Sequence, residues 1–538
     1  MKKYPSLIFS VLSGLLLWAA WPVSPMTFLI FIAFVPFLWT EGRIVRASPY
    51  FYQVYLMVLV WNIGTTWWVC NSTVPGGIAA ILANSLLMSI PWMGYYFVRK
   101  TGRQNLAYAA LVFFWLTFEY IHLNWQLSWP WLTLGNSFAL QPEWIQWYEY
   151  TGTSGGSLWI LVVNILITKL LKTYHHRRLI NKRMALAAGG TLAIPLLLSF
   201  LIASSLRFPA AGSENVVVVQ PNIDPYEKFE QGTQEEQLRK LIRLSEEQLD
   251  KNTEIVIWPE TAVNMPNGIE ETQIRAYASL EILWRFLAAH PQIKLLTGIE
   301  SYQLYSEANK TASSRFLPSL NQYYDAFNTA ALLDSTGALQ VYHKSKLVPG
   351  VETLPGFLKF LATWFEQFGG TANGYASQKE RTVLTDPASG WRFAPAICYE
   401  SIYGEFLTAY IRNGATVISI ITNDGWWANT SGHKQHMHYA RLRAIETRRW
   451  VLRSANTGIS CFISPDGTIQ DAQPWDTAAA IRLNITPLTD LTFYARYGDI
   501  ISKLAIMAAI LILGYAIYLR AGNKKLSRQN ATTTVLKK

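Results

Sequence analysis

Ala396-Ile397-Cys398-Tyr399-Glu400 closes an apolar run at 392–397 and opens a helix-like run at 402–412. This pentapeptide decides the fold, because the end of a buried strand is where layered α/β proteins build their sites. The run before it is one of seven strand candidates, at 215–220, 254–258, 294–299, 326–333, 392–397, 415–421 and 458–464. They are rich in Val and Ile, as strands covered on both faces are. Helix-period segments near 234–250, 271–289, 402–412 and 434–448 fall among them. Such alternation predicts an α/β layered domain over 208–497.

On either side of that domain the chain is suited to a different solvent. Hydrophobic residues make up 51% of the 538 and charged residues only 15%. That balance belongs to a membrane protein. Apolar stretches near 5–23, 26–41, 51–70, 77–98, 105–122, 156–171, 184–204 and 498–519 predict eight transmembrane helices. Most approach the ~20 residues that cross a bilayer. Lys2 and Lys3 before the first stretch also match a signal peptide, but no clear small-residue cleavage site follows and more spans do. The chain thus divides into a seven-helix domain (1–207), a catalytic domain (208–497), a last helix (498–519) and a basic tail (520–538).

The formal charge of +11 does not point to nucleic acid, because Lys and Arg cluster beside the spans. Loops after the second, fourth, sixth and eighth spans carry them, whereas 24–25, 71–76 and 123–155 carry none. By the positive-inside rule both termini are cytoplasmic and 208–497 lies on the other side of the membrane. The three cysteines, Cys70, Cys398 and Cys461, are too few and too odd in number for a disulfide framework.

A buried, inert thiol is the commonest fate of a free cysteine, and Cys70 and Cys461 fit it. Cys398 differs in place: the start of a helix would favour its thiolate. Glu260 follows Ile255-Val256-Ile257-Trp258-Pro259, so its carboxylate projects at a strand end. An acid at a helix start is the ordinary reading of such a residue. Lys344 lies in Tyr342-His343-Lys344-Ser345-Lys346, where a surface lysine is the default and chemistry alone leaves Lys344 and Lys346 both open. Taken together, a carboxylate takes the thiol proton. An ammonium supports the thiolate and then the oxyanion, and the Tyr399 N–H adds a second donor.

The order Trp258-Pro259-Glu260, Lys344, Cys398-Tyr399-Glu400 resembles the nitrilase, or carbon–nitrogen hydrolase, superfamily. Leu347-Val348-Pro349 with Glu352, Asn423-Asp424-Gly425-Trp426, Trp129-Pro130-Trp131-Leu132 and Arg443-Ala444-Ile445-Glu446 extend the likeness to its membrane-embedded acyltransferase branch. The resemblance implies an αββα sandwich inserted between the seventh and eighth helices. It implies Glu260 as general base, Lys344 as oxyanion and thiolate support, and Cys398 as nucleophile. It implies that Glu352, Tyr399, Glu400, Trp426, Asn328 and Gln220 bind substrate or shape the site. The reaction implied is ping-pong: Cys398 takes an acyl chain from a phospholipid as a thioester and passes it to the N-terminal amine of diacylglyceryl-cysteine on an apolipoprotein. The setting implied is the bacterial inner membrane, with the catalytic domain periplasmic and the chain a monomer. No cofactor, metal or nucleic acid enters. A membrane-bound amidohydrolase acting on a small amide keeps the same three residues and is the alternative. Two departures stand out: Pro349-Gly350-Val351-Glu352 replaces the usual Pro-x-Gly-Glu, and Phe229 stands where a tryptophan is common.

Further signals are weaker. Phe357, Phe360, Trp364 and Phe365 lie on one face of a helical stripe that ends in Gly369-Gly370. A core face is the usual meaning of such a stripe; its place after Glu352 suggests a lid that touches the bilayer. His433, His436 and His438 lack a partner spacing suited to metal and read as polar residues near a helix start. Glu119 falls within the fifth span, near an end from which it can reach water. The tryptophans of 123–155 read as an interfacial belt that also presents acyl chains to the site.

Overall fold

The computed structural model describes residues 5–209, 212, 215–228, 233–354, 356–361 and 374–535. The strands are β1 (Asn215–Gln220), β2 (Thr253–Ile257), β3 (Ile269–Glu270), β4 (Lys294–Tyr305), β5 (Arg315–Leu317), β6 (Gln322–Leu333) and β7 (Leu339–His343). They continue with β8 (Leu384–Thr385), β9 (Arg392–Ile397), β10 (Val417–Thr422), β11 (Val451–Ala455), β12 (Cys461–Ile463), β13 (Ile469–Gln470) and β14 (Ala479–Asn484). One sheet runs β14-β1-β2-β4-β6-β5, with β3 on β4 and β7 on β6. The other runs β13-β12-β11-β10-β9-β8.

The two sheets stack, and the valines of β1 show why. Val216 and Val218 join Ile255 and Ile257 in the core shared with the second sheet. Val217 and Val219 turn outward onto Leu238, Leu241, Leu283 and Phe286. Those four residues belong to the helices Gln234–Glu246 and Glu281–Ala289. Every side chain of β1 is buried, so the strand has no polar face to show in its sequence. Each valine so covered contributes about 2 kcal/mol. The helices Gly404–Arg412 and Ser431–Thr447 cover the second sheet. The layers are therefore helix, sheet, sheet, helix, the αββα sandwich expected from the sequence.

The helical region contains α1 (Pro5–Ala19), α2 (Val35–Thr40), α3 (Ala47–Thr66), α4 (Val74–Met88), α5 (Ile90–Arg99), α6 (Gln104–Leu123), α7 (Tyr148–Thr151), α8 (Thr153–Arg177) and α9 (Lys182–Ser205). Among the described residues, five helices are long and apolar enough to cross a membrane: Val74–Arg99, Gln104–Leu123, Thr153–Arg177, Lys182–Ser205 and Ile500–Gly522. On α9, Leu186, Ile194 and Phe200 are exposed, which suits a helix facing lipid rather than water. The stretch 26–41 is not the single helix its composition predicts. It forms a short turn, Thr27–Phe31, and then α2. Asn164 of α8 fills the break: its Oδ1 accepts the Phe34 N–H at 2.8 Å and its Nδ2 donates to Ile30 O at 2.9 Å. Backbone left open within a bilayer needs such a partner.

Two other expectations change. Residues 271–289 contain only the helix Glu281–Ala289, preceded by tighter turns at Glu271–Ala276 and Ala278–Leu280. The polar 300–325 region extends β4 and β6 into a long antiparallel ribbon with β5 at its edge.

Candidate active site

Glu260, Lys344 and Cys398 follow the ends of β2, β7 and β9. Two of those strands lie in one sheet and the third in the other, so the three side chains meet where the sandwich ends. The turn bearing Glu260 crosses β4 closely. A side chain on Gly298 would stand 2.3 Å from Thr261 N and 2.6 Å from Glu260 Cα, so only glycine fits. Gly298 N–H donates to Pro259 O at 3.1 Å, and Val263 N–H donates to Gly298 O at 3.0 Å. The turn is thereby pinned to the strand.

Glu260 Oε1 accepts from Asn328 Nδ2 at 2.7 Å and from Lys344 Nζ at 3.3 Å. Its Oε2 accepts the Asn423 N–H at 3.0 Å. Lys344 Nζ also donates to Glu352 Oε1 at 2.6 Å. The exchanged turn before Glu352 is closed by Gly350, at φ 82°. Glu352 Oε2 then accepts the Val348 N–H at 2.8 Å, which holds the carboxylate toward Lys344. Burial alone would lower the Lys344 pKa, but Glu352, Glu260 and Cys398 outweigh it and hold the ammonium charged.

Cys398 sits at φ 50°, a left-handed backbone that non-glycine residues rarely take. A five-residue 3-10 turn, Cys398–Ile402, follows it, and the α-helix begins only at Gly404. The expected helix-start support for a thiolate is therefore slight. Burial, and then Glu260, push the thiol pKa far up, while Lys344 and a hydrogen bond to Thr422 pull it down. The two leading causes both favour the thiol over the thiolate.

The elbow is braced from both sides. Glu400 is fully buried, and its Oε1 accepts from Tyr342 OH, Ser345 N–H and Lys346 N–H at 2.7, 2.7 and 3.0 Å. Its Oε2 accepts the Ile397 N–H at 3.0 Å, tying the nucleophile turn to the lysine turn. Lys346, the competing lysine, instead reaches Leu123 O at 3.1 Å. On the other side, His436 Nε2 lies 2.9 Å from Ser401 Oγ and 3.1 Å from Cys398 O. His436 Nδ1 is 2.9 Å from Asp424 Oδ1, and Arg453 donates to Asp424 Oδ2 at 2.6 Å. Burial would raise the Asp424 pKa, but Arg453 and His436 bring it down to about 2.

Sequence reasoning gave no role to the Asn423 N–H, to His436 as a brace, or to Lys228. Lys228 is fully buried and donates to Glu260 O at 2.7 Å and Thr261 Oγ1 at 2.8 Å. Burial lowers its pKa to about 7 against the partial opposition of Glu260 and Glu300. Gln220, in contrast, stays away from the cluster: it bonds Pro474 O, Thr477 O and Ser460 N–H. Glu119 does not reach water; it accepts from Trp115 Nε1 at 2.8 Å and Leu134 N–H at 2.7 Å, fixing the 123–155 linker.

An apolar cavity of about 260 Å³ begins at Cys398 and Tyr399 and runs between α4 and the linker. Trp68, Gly76, Ala80, Leu87, Trp129 and Trp131 are among its walls. Trp427 lines it, while Trp426 packs edge-on against Tyr226 outside it. Tyr399 OH donates to Ser128 O at 2.7 Å, so the residue after the nucleophile is fastened to the linker. Val351 and Leu358 close one side; Phe357 is 54% and Phe360 80% exposed. Trp364, Phe365 and Phe229 lie outside the described residues.

A buried carboxylate, ammonium and thiol at the strand ends of a two-sheet sandwich define a thiol enzyme of the carbon–nitrogen hydrolase kind. Residues 215–487 match the carbon-nitrogen hydrolase family, and residues 13–166 match the apolipoprotein N-acyltransferase N-terminal domain. An apolipoprotein N-acyltransferase of Chlorobaculum tepidum is 29% identical over 94% of this chain and 96% of its own. One from Geobacter metallireducens is 25% identical over 95% of each chain. An amidase of the nitrilase superfamily from Nesterenkonia, 15% identical, aligns with 54% of this chain and 95% of its own at a TM-score of 0.35. The chain belongs to the carbon-nitrogen hydrolase family, as a membrane-bound enzyme of its acyltransferase branch.

Proposed function

We propose that this enzyme moves an acyl chain from a phospholipid, through a Cys398 thioester, to the N-terminal amine of diacylglyceryl-cysteine on apolipoproteins. One observation carries the reading: the cavity at Cys398 is apolar and walled by a membrane helix, a place for a lipid chain and not for a small polar amide. Glu260 takes the thiol proton, and the sulfur attacks the ester carbonyl. Lys344 Nζ and the Tyr399 N–H stabilise the oxyanion. The intermediate collapses to the thioester, and the lysophospholipid leaves as an alcohol with the proton that Glu260 held. The acceptor amine then attacks the thioester, its proton passes through Glu260, and the thiol is regenerated. The apolar walls disfavour water as the acceptor.

Intact mass spectrometry after exposure to dipalmitoyl phosphatidylethanolamine tests this. The expected result is a gain of one palmitoyl group in the wild type and none in Cys398→Ala. An adduct that forms with small amides and never with phospholipid would instead make the protein an amidohydrolase.

We place the enzyme, as a monomer, in a bacterial inner membrane; the loop charges support an eight-pass topology with 208–497 on the periplasmic side. A membrane-impermeant maleimide should label Glu307→Cys and spare Lys182→Cys in intact spheroplasts; the reverse pattern would invert the topology.

A further inference from the structure

The cavity beside Cys398 has a structured polar segment in the wall that α4 and α6 build. Going away from the nucleophile, α4 contributes Gly76, Ala80, Ala83, Asn84 and Leu87 to its lining. That stretch spans about 16 Å along the helix. Its upper part is bare of side-chain bulk. At its lower part stand two polar groups, Asn84 and His122, both buried.

These two belong to a closed chain of hydrogen bonds. Trp125 Nε1 donates to His122 Nδ1 at 3.0 Å, which leaves the ring hydrogen on Nε2. Nε2 lies 2.9 Å from Asn84 Oδ1 and donates to it. Asn84 Nδ2 donates to Asn62 Oδ1 at 2.7 Å, and Asn62 Nδ2 to Val58 O at 2.8 Å. Each donor has an acceptor within the chain, so the wall needs no ligand to complete it. It links α3, α4, α6 and the linker, and it resists displacement because any shift would leave polar groups unpaired among apolar ones. Behind it lies a second, far smaller void of about 10 Å³, which shares Asn84, His122 and Trp129 with the first. The wall is thus a partition between two spaces and not a point where packing merely closes.

We propose that the Asn84–His122 partition sets the longest acyl chain this enzyme transfers. The inference rests on the acyl-transfer reading above. A saturated chain with its carbonyl at Cys398 runs along Gly76 and Ala80, and its terminal methyl stops against the partition. A chain one or two methylenes too long would have to break the hydrogen bonds or hold its carbonyl off the sulfur. Shorter chains fit but leave the lower cavity unfilled.

The test compares acyl-adduct formation on Cys398 from dioctanoyl, dipalmitoyl and diarachidoyl phosphatidylethanolamine in mixed micelles, read by intact mass. Ala80→Leu places bulk midway and should lower the palmitoyl-to-octanoyl ratio at least about tenfold, the scale on which an apolar pocket resolves methylenes. Asn84→Ala opens the partition toward the smaller void and should raise the arachidoyl-to-palmitoyl ratio several-fold. Opposite shifts in the two variants would bear the proposal out. Unchanged ratios in both would overturn it while leaving acyl transfer intact. Failure of the wild type to form an adduct with any of the three phospholipids would overturn the acyl-transfer reading itself.

Discussion

Cys398 stands between two regions that treat polar groups in opposite ways. On one side Glu260, Lys344, Glu352 and Asn328 are crowded together, each held by at least one hydrogen bond to another of the four. On the other side is a cavity where Trp68, Trp131 and Trp427 pack at steep angles with ring centroids 4.8–5.4 Å apart. Under the proposed function the first region supplies proton transfer and charge, and the second, lined by apolar side chains, supplies a site for hydrocarbon and excludes water. A hydrolase needs only the first. The difference teaches that a transferase can be made from a hydrolase's residues by changing what lies on the far side of the sulfur.

Changes on the polar side should have the largest effects. Cys398→Ala removes the bond-forming atom and should abolish transfer to a synthetic diacylglyceryl peptide. Glu260→Gln keeps the shape and loses the base, which should slow thioester formation about 10²- to 10⁴-fold in a single-turnover assay. If that variant kept near-normal rates, the polar cluster would be scaffolding and the comparison would fail. Lys344→Met should cost about 10²-fold or more, read in kcat with little change in KM, the outcome that the proposed oxyanion role demands. Tyr399→Phe touches the boundary between the two regions. It removes the hydrogen bond to Ser128 O and should lower thermal stability by about 1 kcal/mol.

The smallest effect concerns Lys228. Its pKa is about 7 in the fold against 10.5 for an ordinary lysine, so between these values the unfolded chain binds more protons than the folded one. Stability should therefore rise as pH increases from 7 toward 10.5. Lys228→Met should flatten that slope, as measured by thermal unfolding at several pH values in the same detergent.

Where strand ends carry punctuation, the site was legible in the sequence. Pro259 stops the run before Glu260, and the apolar run at 392–397 ends directly before Cys398; the strand Leu339–His343 that leads to Lys344 was not among those expected. The choice of Lys344 over Lys346 was not legible, because it depends on which side of a turn meets Asn328 and Glu260 across the sheet. Asp424 stood in a quoted motif, but its tie to His436, like those of His436 to Cys398 O and of Lys228 to Glu260 O, joins separate elements that no local pattern pairs. The break at 26–41 escaped notice for the same reason: Asn164 lies more than a hundred residues away and supplies what the helix lacks. The ribbon of β4 and β6 past residue 300 was obscured because its alternating polar residues read as loop.

Tyr439 OH accepts from Trp21 Nε1 at 2.9 Å and donates to Trp131 O at 2.8 Å. This one hydroxyl thus gathers the turn that follows α1, the linker, and a helix more than four hundred residues further along the chain. The reaction chamber is consequently a late product of biogenesis. Its α4 walls precede the nucleophile by most of the chain, and Trp427 on the far side of Cys398 completes the lining only after both.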